Sequence, residues 1–297
     1  MYPKVSIIIL NWNGLEDTAE CLESLKKITY PNYKVIVVDN ASSGDDVKVL
    51  RERFGDYIHI IQNDANYGFA EGNNIGMRYA LTNCKLDYFL ILNNDTVVAP
   101  GFLTELVKAA ESDPHIAILG PKIFYYDFKG RKDVIWFAGG AVHWWRPAIL
   151  QRLYTDDSSV QGPSGPVTID WVTGSAMMIR SSIIEQISLF DSRYFFGNED
   201  VDYCLKARRH SLTVVYVPTA VIWHKVGASR KKWDPGFANL APHYRLIRQN
   251  APTLARMYHL MLMPFILLQW GLAFLTRHRD KETLTRFIFN IKRLILR

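Results

Sequence analysis

The chain has 297 residues, enough for one large domain or one domain with an appendage, and its 48% hydrophobic and 22% charged content is that of a folded protein with a substantial core. Its net charge of +6 is unevenly placed: residues 241–297 hold ten Lys or Arg against Asp280 and Glu282, leaving 25 basic and 27 acidic groups on the rest. The high pI therefore belongs to the tail, and the body is not expected to bind nucleic acid.

From the N-terminus, Val5–Leu10 is a short β-branched apolar run that reads as a buried parallel strand, broken by Asn11-Trp12-Asn13-Gly14. Residues 15–27 place Leu15, Ala19, Leu22 and Leu25 at helical spacing. Tyr33–Asp39 is a second strand, 47–54 a helix, Ile58–Gln62 a third strand, 71–82 a helix and Tyr88–Leu92 a fourth strand. This alternation predicts an α/β fold with a largely parallel sheet. Ligands of such sheets sit beyond the carboxyl ends of the strands, and here three ends carry Asn11, Asp39 and Asn93-Asn94-Asp95. Residues 123–170 are irregular and rich in Gly, Trp and Pro. Order resumes at Trp171–Arg180, followed by a helix over 181–188 and a strand over Ser211–Val217 that Pro218 closes.

Three cysteines, Cys21, Cys84 and Cys204, have no paired spacing, which points to a reducing compartment. No secretory leader is visible, so the body is expected on the cytoplasmic side.

Four segments could carry chemistry. Asp95, just after an apolar strand, suits a divalent cation that bridges a diphosphate, although Asn-Asn-Asp also suits a plain turn. Asn66–Gly76 (NYGFAEGNNIG) opens a helix, where glycines allow close backbone approach and the helix end favours anions; a cap with glycines for packing fits equally well. It is neither a dinucleotide nor a P-loop fingerprint. Glu199, Asp200 and Asp202 fall at a helix start, where acids often only complement the dipole, yet such a cluster can also hold a general base. His224 follows a strand, and a lone His is more often structural. Trp136, Trp144 and Trp145 fit packing or an acceptor surface.

Taken together, VSIIILNWNG (5–14), VVDNAS (37–42), NYGFAEGNNIG (66–76), LILNNDTVV (90–98), WVTGSAMMIR (171–180) and FGNEDVDYCLKARR with VVYVPTAVIWHKVGAS (196–229) resemble the family 2 glycosyltransferases of GT-A fold, in particular their rhamnosyltransferase-like branch. The resemblance spans about residues 3–250 and implies a mostly parallel GT-A sheet flanked by helices. It implies a nucleotide-sugar donor, with dTDP-rhamnose the first expectation and UDP- or GDP-sugars as alternatives, and a lipid-linked or cell-surface glycan acceptor. Asn11 and Asp39 would meet the nucleoside. Asn66, Gly68 and Asn73 would line the donor pocket with Asn93 and Asn94. Asp95 and His224 would hold Mg²⁺ or Mn²⁺, Trp171 and Gly174 would lie near the acceptor, and Asp200, paired with Glu199, would be the base of an inverting transfer. Asn93 departs from the family's acidic triplet, since an amide coordinates without charge. A non-catalytic sugar-nucleotide or glycan-binding module and a sugar-phosphate nucleotidyltransferase are the alternatives; the latter usually has a basic Gly-rich loop where this chain reads Asn11-Trp12-Asn13-Gly14.

The expected organisation is a catalytic domain over 1–240, with a donor half to about 120 and an acceptor half from 121, and a basic helical tail over 241–297. Met257–Leu275 lacks formal charge over 19 residues, roughly 28 Å of helix against a ~30 Å hydrocarbon core, but His259, Pro264 and Gln269 interrupt it. Residues 284–295 form a basic amphipathic pattern. Both favour attachment to the cytoplasmic face of a membrane; packing on the body or on a second copy of the chain is the alternative.

Overall fold

The computed structural model describes residues 2–146, 148–153, 162–226, 240–262 and 265. In chain order the elements are β1 (Val5–Asn11), α1 (Leu15–Leu25), β2 (Tyr33–Asp39), α2 (Asp46–Phe54), β3 (Ile58–Gln62), α3 (Gly68–Asn83), β4 (Tyr88–Asn93), β5 (Thr96–Val98), α4 (Phe102–Glu111), β6 (Ile116–Tyr125), β7 (Ile135–Phe137), β8 (Gly140–Val142), β9 (Leu150–Arg152), β10 (Val167–Thr168), β11 (Ala176–Arg180), α5 (Ile184–Ile187), α6 (Glu199–Arg209), β12 (Thr213–His224) and α7 (Leu240–Asn250). The main sheet runs β10-β12-β6-β11-β4-β1-β2-β3, with β5 on β12 and β7 on β6.

The first half follows the sequence expectation. β1 pairs in parallel with β2 and β4, and β2 with β3, so Asn11, Asp39 and Asn93 end side by side. These strands read as continuous apolar runs because helices cover both faces, and Ile7, Ile8, Ile9, Val37 and Val38 are fully buried. α3 lies directly on them through glycines one turn apart. A β-carbon on Gly72 would sit 2.6 Å from Leu10, and one on Gly76 2.6 Å from Ile8. Two of the glycines in that motif therefore serve helix-on-sheet packing.

The second half corrects the expectation of a largely parallel sheet: the fold is mixed α/β. β11 enters antiparallel between β4 and β6, and β5, β7 and β10 are also antiparallel to their partners. β12 does not end at Pro218 either. It continues to His224, because the register shifts between Val217 and Val221 and Pro218 occupies that irregularity, where no ladder N–H is required. This extension carries His224 to β5, opposite Thr96 and beside Asp95.

The expected domain boundary at residue 240 falls within a packed unit. Beyond it, Leu246, Ile247, Ala251 and Ala255 are buried in the same core as the sheet. Asn250 donates to Asp202 of α6 at 2.6 Å, and Gln249 donates to Asp191 at 3.1 Å. Residues 253–262 are helical. Among the described residues no helix is long and apolar enough to cross a membrane, and the expected amphipathic segment 284–295 lies outside them.

Candidate active site

Three groups of side chains meet at the carboxyl edge of β1, β2 and β4. The first is a closed polar network. Asn11 and Asp39 are completely buried, and the Asn11 amide donates to Asp39 Oδ1 (2.8 Å), Asp46 Oδ2 (3.0 Å) and Ser42 Oγ (3.1 Å). Thr18 returns a hydrogen bond to Asn11 Oδ1 at 2.8 Å, and Ser42 donates to Asp39 through its hydroxyl (2.6 Å) and its backbone N–H (3.0 Å). Asn94 joins from β4 by donating to Thr18 at 2.9 Å. Asn11, Asp39 and Asn94, expected at the donor, are thus committed to one another and to the β1–α1 turn. Next to them Asn40, which the sequence reading passed over, accepts from Asn63 (2.8 Å) and donates to the Gly68 carbonyl (3.0 Å) and to Asn66 Oδ1 (3.2 Å).

Asn66 Oδ1 also accepts the Gly68 N–H at 2.9 Å and holds the start of α3. Gly68 has φ +77°, and a β-carbon there would come within 2.3 Å of the Phe195 carbonyl, so the position requires glycine on both counts. Asn73 donates to Phe69 O at 2.9 Å while its own Oδ1 is buried without a hydrogen-bond partner. Asn74, also passed over, uses both ends of its amide on the backbone of Phe190 and ties α3 to the segment before α6.

The second group is Asp95 with His224. Both are buried, and His224 Nε2 lies 3.0 Å from Asp95 Oδ1. Yet Asp95 Oδ1 and His224 Nδ1 have no hydrogen-bond partner. Beyond their contact with each other, the pair leaves a buried carboxylate oxygen and the imidazole Nδ1 without a hydrogen bond, which is costly unless something else compensates. Oxygen and imidazole are fitting donors for Mg²⁺ or Mn²⁺. Adjacent ligands of an octahedral cation at ~2.1 Å stand ~3.0 Å apart, which is the spacing found here. Among the described residues no third His, Cys, Asp or Glu joins them, so the remaining ligands would come from water or a substrate. Asn93 of the same turn donates its backbone N–H to Ser175 O at 2.9 Å. Trp136 sets its ring edgewise to His224, with centroids 4.6 Å apart.

The third group is Glu199-Asp200. Gly197 (φ +92°) and Asn198 (φ +68°) form a left-handed turn that aims the start of α6 into the site. Asp200 is half-buried, with Oδ2 accepting the Gly174 N–H and Oδ1 the Val201 N–H, both at 2.8 Å. Burial raises the Asp200 carboxyl above its ordinary range, while those two N–H donors pull the other way. Glu199 is more deeply buried, with Oε2 unpartnered; burial first, and then the Asp200 charge, push it up to about 8. Both carboxyls of the pair thus hold a proton more tightly than free ones, because burial disfavours two adjacent charges.

Two short backbone links bring the second and third groups together. Asn93 is bonded to Ser175 and Gly174 to Asp200, so the two residues before β11 tie the carboxylate to the strand end that leads into the Asp95 turn. Gly174 packs closely on Phe69, since a β-carbon there would meet that ring at 2.9 Å. Trp171 is buried, with its ring on Gly140 and tilted against Phe137, so any effect on an acceptor passes through the backbone it anchors.

Residues 6–187 match the model of Glycosyl transferase family 2. The chain is 27% identical over 215 residues to the low-salt glycan biosynthesis hexosyltransferase Agl10 of Haloferax volcanii, covering 72% of this chain and 64% of that protein. It is 26% identical over 239 residues to the N-acetylglucosaminyl-diphospho-decaprenol L-rhamnosyltransferase of Mycobacterium tuberculosis, covering 75% and 76%. In fold it is similar to GalNAc-T7, solved with UDP, GalNAc and Mn²⁺, at TM-score 0.67 and 19% identity over 83% of this chain and 48% of that one. The matched segment holds most of the closed network and the Asp95 turn, the fold is GT-A-like, and the chain belongs to glycosyl transferase family 2 as a rhamnosyltransferase-like enzyme.

Proposed function

We propose that the chain moves a sugar from a nucleotide-diphosphate donor to a hydroxyl of a lipid-linked or cell-surface glycan, with inversion at the anomeric carbon. The observation that carries this reading is the join between Asp200 and the Asp95 turn through Gly174, Ser175 and Asn93. It ties the proposed proton acceptor to the segment that carries the proposed cation donor Asp95. Asp200 takes the proton of the acceptor hydroxyl, and that oxygen attacks the anomeric carbon as the diphosphate leaves on the opposite face. Fixed by two backbone N–H groups, the carboxylate needs no reorganisation to accept the proton. A divalent cation held by Asp95 and His224 would supply positive charge where the diphosphate departs. Asn73, with its free carbonyl oxygen, and Asn93 at the rim are the donor contacts nearest to hand. A nucleoside reaching Asp39 would exchange with its bonds to Ser42 or Asn11.

A rhamnose donor and a polyprenyl-diphosphate-linked acceptor are the first choice on the strength of the mycobacterial relative's name, with dTDP as the nucleotide carried over from the sequence expectation. Placement at the cytoplasmic face of a membrane is supported by the helix over 253–262. His259 and Ala255 face the body, whereas Leu254, Met257, Leu260 and Met261, with Phe265 beyond, are each more than half exposed.

Asp200→Asn tests the reaction. It should lower turnover by roughly 100- to 10,000-fold while the thermal shift given by the best of a panel of nucleotide sugars, measured with Mn²⁺, is kept. Near-normal turnover removes Asp200 from the chemistry. Absence of a shift with every nucleotide sugar in the wild type would favour a binding module without catalysis.

A further inference from the structure

Lys225 follows His224 directly and is tied in three directions. Its backbone N–H donates to the Asp95 carbonyl at 2.9 Å, extending the β5–β12 ladder by one bond. Its ammonium group lies 2.7 Å from Asp17 Oδ1 and 2.5 Å from Glu20 Oε2, both on α1. Glu20 in turn accepts from the Tyr126 hydroxyl at 2.7 Å, and the Tyr126 N–H donates to the His224 carbonyl at 2.9 Å. A closed loop of contacts thus runs from Asp95 through Lys225 to α1, and back through Tyr126 to His224. α1 is itself fixed, since Thr18, one residue beyond Asp17, bonds both Asn11 and Asn94.

We propose that Lys225 is a positioning residue for the Asp95–His224 pair, holding the two donors at the spacing a divalent cation needs. The inference rests on the cation reading given above. Its ground is that Lys225 meets two carboxylates, so its charge is neutralised locally and little of it is left for a diphosphate. What remains is a strut between α1 and the end of β12. Groups that orient metal ligands without touching the metal commonly affect affinity 10- to 100-fold.

Two roles predict opposite signs. If Lys225 acted only through its field, removing a positive charge next to the pair would tighten cation binding. If it positions the pair, removing it loosens binding. The experiment is titration of the full-length chain with Mn²⁺ alone, reading free Mn²⁺ by electron paramagnetic resonance, on the wild type, Lys225→Met, Lys225→Arg and Tyr126→Phe. Lys225→Met should weaken Mn²⁺ binding by about 10-fold or more, and Lys225→Arg should restore it to within about 3-fold. Tyr126→Phe leaves every charge in place and keeps the proposal testable if Lys225→Met does not fold; it should weaken binding about 3-fold by releasing Glu20. Tighter or unchanged binding in Lys225→Met, or in Tyr126→Phe where the former is unfolded, overturns the positioning role. A wild-type chain that takes up no Mn²⁺ overturns the cation reading and this inference with it.

Discussion

The ends of the first strands and the ends of the later ones are built from similar residues but are finished differently. At β1 and β2, the polar atoms of Asn11 and Asp39 are fully engaged with Thr18, Ser42 and Asp46. At the β4–β5 turn, the end of β12 and the start of α6, Asp95 Oδ1 meets only the His224 ring, without a hydrogen bond, and His224 Nδ1 and Glu199 Oε2 are buried without hydrogen-bond partners. Buried polar groups without partners cost stability, so a fold retains them where they serve something else. One rim is closed on itself, and the other keeps buried polar atoms open. The distinction concerns the carboxyl ends of strands; Ser6 Oγ, also partnerless, lies near the opposite end of β1.

The sharpest way to break this contrast is to exchange the outcomes of substitution at the two rims. Asp95→Asn should lower turnover with Mn²⁺ by about 100-fold, the scale of losing a transition-state charge stabiliser, while the apparent melting temperature stays level or rises. A variant that melts well below the wild type would place Asp95 with the closed rim. Asn11→Leu should do the reverse. It removes the bonds that Asn11 gives Asp39 and Asp46 and takes from Thr18, and urea unfolding should show a loss of about 3 kcal/mol, at ~1 kcal/mol for each bond lost, although Ser42, Gly14 and Asn94 still reach those groups. A loss below about 1 kcal/mol would mean that the network is dispensable.

The effect expected at Glu199 depends on pH. Its folded pKa of about 8 lies above the ordinary 4.5, so the folded state binds the proton more tightly than the unfolded chain. Wild-type stability therefore falls as pH rises from 4.5 to about 8, and the cost is absent below that window. Glu199→Gln removes the titration. It should melt above the wild type at pH 8, with the advantage shrinking as pH falls towards 4.5. A difference that grows on acidification would contradict the assigned direction.

β1, β2 and β4 are legible in the sequence because each ends in a buried apolar run closed by a polar residue, and the half-exposed β3 because its isoleucines mark a short β-branched run; neither pattern needs long-range information. The direction of β11 is not legible, since Ala-Met-Met-Ile-Arg carries the same apolar character whether it runs with or against β4. The continuation of β12 was hidden by Pro218, whose cost vanishes only once the bulge is known. α4 and β6 were passed over although Phe102, Leu103, Leu106 and Ala110 form a buried helical face. At the site, Asp95, His224 and Asp200 stand out as motif residues, but their meeting depends on Gly174 and Ser175, which bring β11 alongside. Asn40, Asn74 and Lys225 gave no local signal, because their roles exist only through partners tens or hundreds of residues away.

The bond from Asn250 to Asp202 has a mechanical meaning. Asp202 sits two residues after Asp200 on the same helix, and Gln249 beside Asn250 grips Asp191 in the approach to that helix. Beyond them Ala251 and Ala255 pack into the core and His259 meets the Trp144 carbonyl at 2.7 Å, so the segment after residue 240 is tied to α6 at one end and to the body at the other. A chain cut at residue 240 would lose the bond to α6 and the buried contacts of Leu246 and Ile247, and with them part of the packing that holds this helix.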